Sequence, residues 1–438
     1  MSAPAVAGLL RGWSRRHLVV ALTFFACIVA YTDRVNISVA VVAMAEQYHW
    51  TPVEKGRILS AFFVGYMLFM FASGVLAAKI GGKLVLGWSV LAWSVFTLLT
   101  PFAAGYSMPA LLAARIGMGI GEAAMFPAAY EVFARWVPAP ERARAAAGML
   151  SGIPVGTVVG LAGSGWLVQH ASWPMAFYVF GGIGLVWVVV WFLEVKNDPK
   201  DDPRVGPEER ALLAGSSSGT EKLSFWGVCR VLFNWPVAAI AVAHFAVTWY
   251  LYMLLSWLPS YFRDVQHLSI ASAGLYSASP WITMFIASNA AASVADRMIA
   301  NGASVARTRK LIQCGSLVAT GGLLLLLELA STPLIAVSLL CAATAALGCS
   351  WAGFAPGMLD VAPRNGAVVY GFSNTFATIP GIVGVYVTGW LVQVTGHFSA
   401  AFAVSAGVGA LAAVLFATLF AVRNGGAGGI VAGTPGSA

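Results

Sequence analysis

Tyr31-Thr32-Asp33-Arg34-Val35-Asn36 sets an acid and an arginine inside an otherwise uninterrupted apolar segment running from about Leu18 to Ala43. A charged side chain near the middle of a bilayer costs on the order of 3 kcal/mol or more, so it persists only where it faces a partner or a water-filled cavity. Adjacent residues project about 100° apart around a helix, so Asp33 and Arg34 cannot both face one neighbour. Separate roles for the two follow, with a purely structural lock between helices as the alternative.

The composition around this stretch is that of an integral membrane protein. Of 438 residues, 59% are hydrophobic and only 10% charged, far from the balance of soluble globular chains. A spanning helix needs about 20 mostly apolar residues. Twelve such runs begin near Leu18, Arg57, Leu84, Met108, Ala145, Pro174, Pro236, Ala271, Lys310, Pro333, Ala367 and Ser399. The expected fold is all-α, with twelve transmembrane helices. The first run is too long for a signal-peptide core and lacks a small-residue cleavage site, so it reads as the first span.

A net charge of +8 could indicate a polyanion partner, but its distribution marks topology instead, and no nucleic-acid binding is expected. With the N-terminus in the cytoplasm, Lys55, Arg57 and Arg263 fall outside and Arg34 and Arg115 within the membrane. Every other Lys and Arg is then cytoplasmic, as the positive-inside rule requires. Both termini are expected there, in a bacterial inner membrane, with the chain a monomer. Cys27, Cys229, Cys314, Cys341 and Cys349 show no metal-ligand spacing. They read as apolar packing residues, and neither a metal nor a cofactor is expected.

Residues 1–17 form a cytoplasmic N-terminus and 18–195 a first half of six helices. Residues 196–235, with Asn-Asp-Pro, Pro-Glu-Glu-Arg and Gly-Ser-Ser-Ser-Gly, read as a cytoplasmic linker. Residues 236–422 form the second half, and the Gly-rich 423–438 a disordered tail. The halves are related: Gly165-Trp166-Leu167-Val168-Gln169 recurs as Gly389-Trp390-Leu391-Val392-Gln393, offset by 224. Ala176-Phe177 recurs as Ala401-Phe402 at 225, Pro140 and Gly148 as Pro363 and Gly371 at 223, and Ile153-Pro154 as Ile379-Pro380 at 226. A parallel repeat of six helices is the arrangement of transporters whose site lies between two halves near the midplane. Gly152, Gly156 and Gly160 in the fifth span, and Ala377, Gly381, Gly384 and Thr388 in the eleventh, let helix backbones approach closely.

The fourth span holds a second buried acid and base, Arg115 and Glu122, in Arg115-Ile116-Gly117-Met118-Gly119-Ile120-Gly121-Glu122. Seven residues put both on one helix face, roughly 10 Å apart along the axis. They can meet through side-chain reach or each pair with the first span. Two acids and two arginines balance, so protonating either acid unbalances the set. That suits a proton-coupled anion carrier: burial raises a carboxyl's proton affinity and a nearby guanidinium lowers it, so an arginine that moves to substrate lets the acid take a proton. Arg suits the anion because its planar fork binds carboxylate or phosphate bidentately and stays charged. A static Arg115–Glu122 pair is the alternative.

These residues, together with Pro127, Arg135-Trp136-Val137-Pro138 and Glu141-Arg142, resemble the anion:cation symporter family of the major facilitator superfamily. The resemblance covers nearly the whole chain. It extends to Trp257-Leu258-Pro259-Ser260-Tyr261, Ala295-Asp296-Arg297, Arg309-Lys310, Asp360-Val361-Ala362-Pro363 and Gly371-Phe372-Ser373-Asn374. The family includes bacterial carriers of sugar acids such as galactonate, glucarate and hexuronates, as well as sialin, vesicular glutamate transporters and plant organellar phosphate transporters. The resemblance implies uptake of a small organic anion with protons, inorganic phosphate transport, anion exchange or uniport being alternatives. It further implies that Asp33 and Glu122 are the protonatable pair, Arg34 the ligand of a substrate carboxylate and Arg115 the partner of Glu122. Tyr31, Tyr66 and Asn374 match positions lining the substrate cavity, and Asp296, Arg297 and Asp360 match gating positions at the cytoplasmic loops.

The chain also departs from the family pattern. After the second span the usual Gly-x-x-x-Asp-Arg is Gly74-Val75-Leu76-Ala77-Ala78-Lys79, without the acid, although Asp296-Arg297 keeps the counterpart in the second half. A glutamine that sugar-acid carriers use for substrate hydroxyls is missing, with Ile153 near its place. His244 and Ile379-Pro380-Gly381 lean toward the sialin and plant phosphate branch. His244 reads as a buried hydrogen-bonding residue, with a proton shuttle as the alternative. No hydrolase or transferase constellation is present, so no enzymatic activity is expected.

Overall fold

The computed structural model describes residues 14–214, 225–363 and 365–422. The tail expected to be disordered, 423–438, lies outside the described residues, as do residues 1–13 and the linker stretch 215–224. Among the described residues, eleven helices are long and apolar enough to cross a membrane. The expected fourth span is the twelfth, but it is built in two pieces, Met108–Glu122 and Met125–Trp136. Each piece alone is shorter than a bilayer requires. Pro127 accounts for the break, since a proline has no N–H for the carbonyl four residues back and its ring crowds that turn.

Two compact units divide the chain: Met1–Glu221 with Leu255–Ser279, and Lys222–Leu254 with Pro280–Ala438. The first unit contains the spans Arg15–Tyr48, Pro52–Ile80, Gly82–Tyr106, the broken fourth, Gly152–His170 and Trp173–Glu194. It also takes the end of the seventh helix (Trp235–Asp264) and the start of the eighth (Ile270–Ala300). Lys55 pairs with Asp264 at 3.2 Å and Arg263 with Glu46 at 3.0 Å, tying that segment to the first and second spans.

The first span is gripped by the fifth through the glycine stripe. A Cβ on Gly156 would lie 3.0 Å from the Cβ of Tyr31, and one on Gly160 would lie 2.9 Å from the Cα of Thr32. Thr32 Oγ1 donates to the Gly156 carbonyl at 3.0 Å. With Tyr31 and Thr32 against the fifth span, Asp33 and Arg34 are rotated toward other neighbours.

At the start of the first span, Ser14 supplies no side-chain cap. Glu209, from the short helix Pro207–Ala214, accepts instead from the backbone N–H groups of Arg15 at 3.2 Å and Arg16 at 2.8 Å. A carboxylate at a helix N-terminus satisfies orphan donors and meets the positive end of the dipole. Beside it, Asp202 is fully buried between Arg15 (3.3 Å) and Arg204 (2.9 Å). Burial pushes the Asp202 carboxyl up, but hydrogen bonds from Arg204 and the charges of Arg15 and Arg204 together hold it below its ordinary value.

The second unit holds Val305–Leu325, Pro333–Cys349 with Phe354–Val361, Gly366–Thr395 and Ser399–Leu419 around the buried Tyr250 and His244. Trp249 donates to Ser405 at 3.1 Å and Tyr250 to the Leu317 carbonyl at 3.3 Å.

A carboxyl with a depressed folded-state pKa contributes stability above its unfolded pKa of about 3.9 and loses it as pH falls through the folded value. Asp202→Asn should therefore lower stability at pH 7 by about 1–3 kcal/mol. In thermal unfolding of the detergent-solubilised protein, the gap to the parent should close as pH drops below the ordinary carboxylate range. A gap independent of pH would contradict this role.

Candidate functional site

The second and fourth spans approach closely enough to set the site. A Cβ on Gly65 would strike the Ile116 carbonyl, and one on Gly119 the Phe62 carbonyl, so each helix uses a glycine where the other's backbone passes. This contact carries Phe62 and Tyr66 up to the fourth-span residues Arg115 and Glu122. On the third span, a Cβ at Gly121 would lie 2.9 Å from the Trp93 nitrogen. Small residues at 117, 119 and 121 thus bring the fourth span against both neighbours.

Arg34 pairs with Glu122, not with its sequence neighbour Asp33. Arg34 Nε donates to Glu122 Oε1 at 2.9 Å and Nη2 donates to the same oxygen. Both side chains are almost completely buried. Aromatic rings surround the guanidinium: its carbon lies 4.6 Å from the Tyr31 ring centroid, 5.0 Å from Phe62 and 5.2 Å from Tyr66. Such contacts stabilise a desolvated cation by about 2 kcal/mol. The second carboxylate oxygen, Glu122 Oε2, is buried without a hydrogen-bond partner among the described residues.

The resemblance implied Arg115 as the partner of Glu122, and here the geometry differs. Arg115 Nη1 donates to Met118 Sδ at 2.9 Å, its Cζ lies 5.6 Å from the Phe62 centroid, and its Nε is buried without a partner among the described residues. Seven residues of helix hold Arg115 and Glu122 too far apart along the axis, and the first span supplies the nearer cation. Arg34 and Arg115 line one small pocket with Ser38, Phe62 and, from the seventh span, Leu255 and Ser256. The pocket is small, about 10 Å³, and two guanidiniums concentrate positive charge on it.

Asp33 is fully buried, and both its oxygens lack a hydrogen-bond partner among the described residues. Glu122, Trp93 and Arg115 are the groups whose charge or dipole acts on it. Asn36, one turn along, is equally buried with both amide atoms unpartnered.

Tyr31, Asp33, Arg34, Tyr66, Arg115 and Glu122 therefore converge in the first unit. Asn374 lies in the second, half-buried on the eleventh span near Ser373, whose hydroxyl meets His244 Nδ1 at 3.2 Å. Ser373 Oγ also donates to the Tyr370 carbonyl at 3.1 Å. Of the loop residues, Asp360 pairs with Arg309 at 2.9 Å, whereas Asp296 and Arg297 are exposed at the end of the eighth span. Sequence reasoning missed Phe62, which contacts both arginines, and Ser73 and Ser89, whose hydroxyls bond the backbone beside Glu122. A lone Phe or Ser in an apolar helix carries no signal of its own.

Eleven membrane-length helices and a divided fourth among the described residues, with two arginines and two acids buried together in the first unit, are the features of a membrane transporter. The chain belongs to the Major Facilitator Superfamily, whose family model matches residues 23–385. It is 36% identical to an Arabidopsis thaliana protein named sodium-dependent phosphate transport protein 1, chloroplastic, over 90% of this chain and 77% of that one. It is 35% identical to the Arabidopsis thaliana ascorbate transporter, chloroplastic, over 92% and 75%. Among solved structures it superposes on a bacterial homologue of the human lysosomal transporter Spinster with a TM-score of 0.70 at 17% identity, covering 92% of this chain and 95% of that one. The corresponding values for a D-xylose-proton symporter are 0.67 and 14%, covering 92% and 98%. These relatives are transporters and not enzymes. Their chloroplastic names give no support to the bacterial inner membrane expected from the sequence.

Gly65→Ala should force the second and fourth spans apart and destabilise the detergent-solubilised protein by about 1–3 kcal/mol, the range for overpacking. An unchanged unfolding temperature would contradict the close contact.

Proposed function

We propose that the chain carries a small organic anion, a carboxylate or sugar acid, together with protons by alternating access, with Arg34 as the exchangeable centre. The observation that carries this reading is the Arg34–Glu122 pair beside a pocket that Arg34 shares with Arg115. In the empty carrier Glu122 neutralises Arg34. When a substrate anion takes the guanidinium, the freed carboxylate is left buried, and protonation removes its charge. Substrate and proton then enter as a neutral set. Asp33 is the second proton site, and Tyr31, Tyr66 and Asn374 shape the cavity. Asp296, Arg297 and Asp360 act at the cytoplasmic gate.

In this reading two six-helix halves joined by residues 196–235 rock about the site, both termini are cytoplasmic and the monomer is the working unit. The relatives' names, phosphate and ascorbate, support an anion and divide on its kind. Inorganic phosphate is the second reading, favoured by the two guanidiniums that line one pocket. One relative's name describes it as sodium-dependent. The choice of coupling is tested by adding substrate to weakly buffered vesicles: proton symport alkalinises the outside, whereas exchange or sodium-driven uptake does not.

Glu122→Gln keeps size and hydrogen bonding but fixes the neutral form. It should still bind and exchange ascorbate or phosphate while losing accumulation driven by a proton gradient. A variant that accumulates substrate like the parent would return Glu122 to a static role.

Arg34→Lys keeps the charge but loses the bidentate fork, so affinity should fall by about 1–3 kcal/mol. Asp33→Asn should behave like Glu122→Gln if two protons accompany each substrate. Gradient-driven uptake near the parental level would instead leave Asp33 the role of orienting the cluster.

A further inference from the structure

The break in the fourth span falls immediately after Glu122, and its two flanking carbonyls are claimed by serines from other helices. In an unbroken helix the Ala123 carbonyl would accept the N–H of residue 127. Pro127 has none, and Ser73 Oγ of the second span reaches the Ala123 oxygen at 3.2 Å, sharing its proton with its own Met70 carbonyl at 2.7 Å. On the other side of Glu122, Ser89 Oγ of the third span donates to the Gly121 carbonyl. Both serines are buried, so these bonds are made away from water. An orphaned carbonyl at that depth is costly, and side-chain hydroxyls are among the groups that satisfy one. The backbone on either side of the Glu122 carboxylate is thereby tied to two different helices.

We infer that Ser73 and Ser89 are positioning residues for Glu122, holding the broken turn so that its carboxylate meets Arg34. This rests on the proton-coupling reading above and names the groups that tune that site. The charged and titratable groups acting on Glu122 are Arg34 and the Cys27 thiol from the first span and Arg115 from its own, with Asp33 acting on the same cluster. Without the serine tethers the turn drifts, the Arg34–Glu122 contact loosens, and a buried carboxylate with a weaker cation partner holds its proton more tightly.

The test is the pH profile of ascorbate and phosphate exchange in proteoliposomes, measured for the parent, Glu122→Gln, Ser73→Ala, Ser89→Ala and Ser73→Thr. The parent should show a midpoint that Glu122→Gln abolishes. Ser73→Ala and Ser89→Ala should each move that midpoint upward, by about one pH unit, while Ser73→Thr, which keeps the hydroxyl, should leave it near the parental value. Pro127→Ala restores an N–H to the Ala123 carbonyl, so Ser73→Ala should shift the midpoint less in that background than alone. Ser→Ala variants that lose thermal stability but keep the parental midpoint would overturn the proposal and leave the serines a merely structural role. A parent with no Glu122-dependent midpoint would instead overturn the coupling reading, and this proposal with it.

Discussion

A guanidinium and a carboxylate buried against each other, Arg34 and Glu122, are the interaction on which the rest of the first unit depends. Both are nearly inaccessible to water. Desolvating two ions costs several kcal/mol each, and replacing a buried pair by apolar residues is often neutral or stabilising, so such a pair is weak evidence for stability. A function explains it better. The pair is stable only while both members are present and charged, which makes any event that removes one member, by anion binding or protonation, a strong bias on the whole cluster.

The surrounding structure is arranged to keep that bias local. Three rings surround Arg34 with face contacts that need no counter-charge. Glycines at 65 and 119 let the second and fourth spans touch backbone to backbone, and those at 156 and 160 do the same for the fifth against the first. Close-packed helix contacts of this kind are stiff. The helical ladder is interrupted at Ala123 and Ala124, next to the acid. Ala123 and Ala124 keep helical dihedrals, and the missing ladder bond is tolerated because hydroxyls from adjacent helices reach the carbonyls beside it.

Much of the fold was legible in the sequence, because apolar runs of bilayer length leave little choice of structure. The fourth span shows the limit: its composition matched the other spans, but Pro127 after a glycine-rich stretch divided it. Of the six residues that converge in the first unit, Asp33, Arg34, Arg115 and Glu122 stand out as charges in apolar helices, whereas Tyr31 and Tyr66 come only from the family resemblance. The pairing of the charges was not legible. Spacing along one helix placed Arg115 and Glu122 on a common face, but it carries no information about distances across helices, and the glycine contacts decide those. Phe62, Ser73 and Ser89 stayed hidden for the same reason, their roles being set by which neighbouring backbone they meet.

Arg34 cannot bind Glu122 and an anion with the same fork, and this competition is the core of the proposed mechanism. It is tested most directly by calorimetric titration of the purified protein with ascorbate, and with phosphate, near neutral pH in buffers of different ionisation enthalpy. Binding should draw roughly one proton from the buffer per anion, because the displaced Glu122 carboxylate becomes a buried charge without its cation. The measured enthalpy should then vary with the buffer, and this dependence should vanish in Glu122→Gln. Saturable binding with an enthalpy that is the same in every buffer, after correction for the anion's own ionisation, would contradict the account.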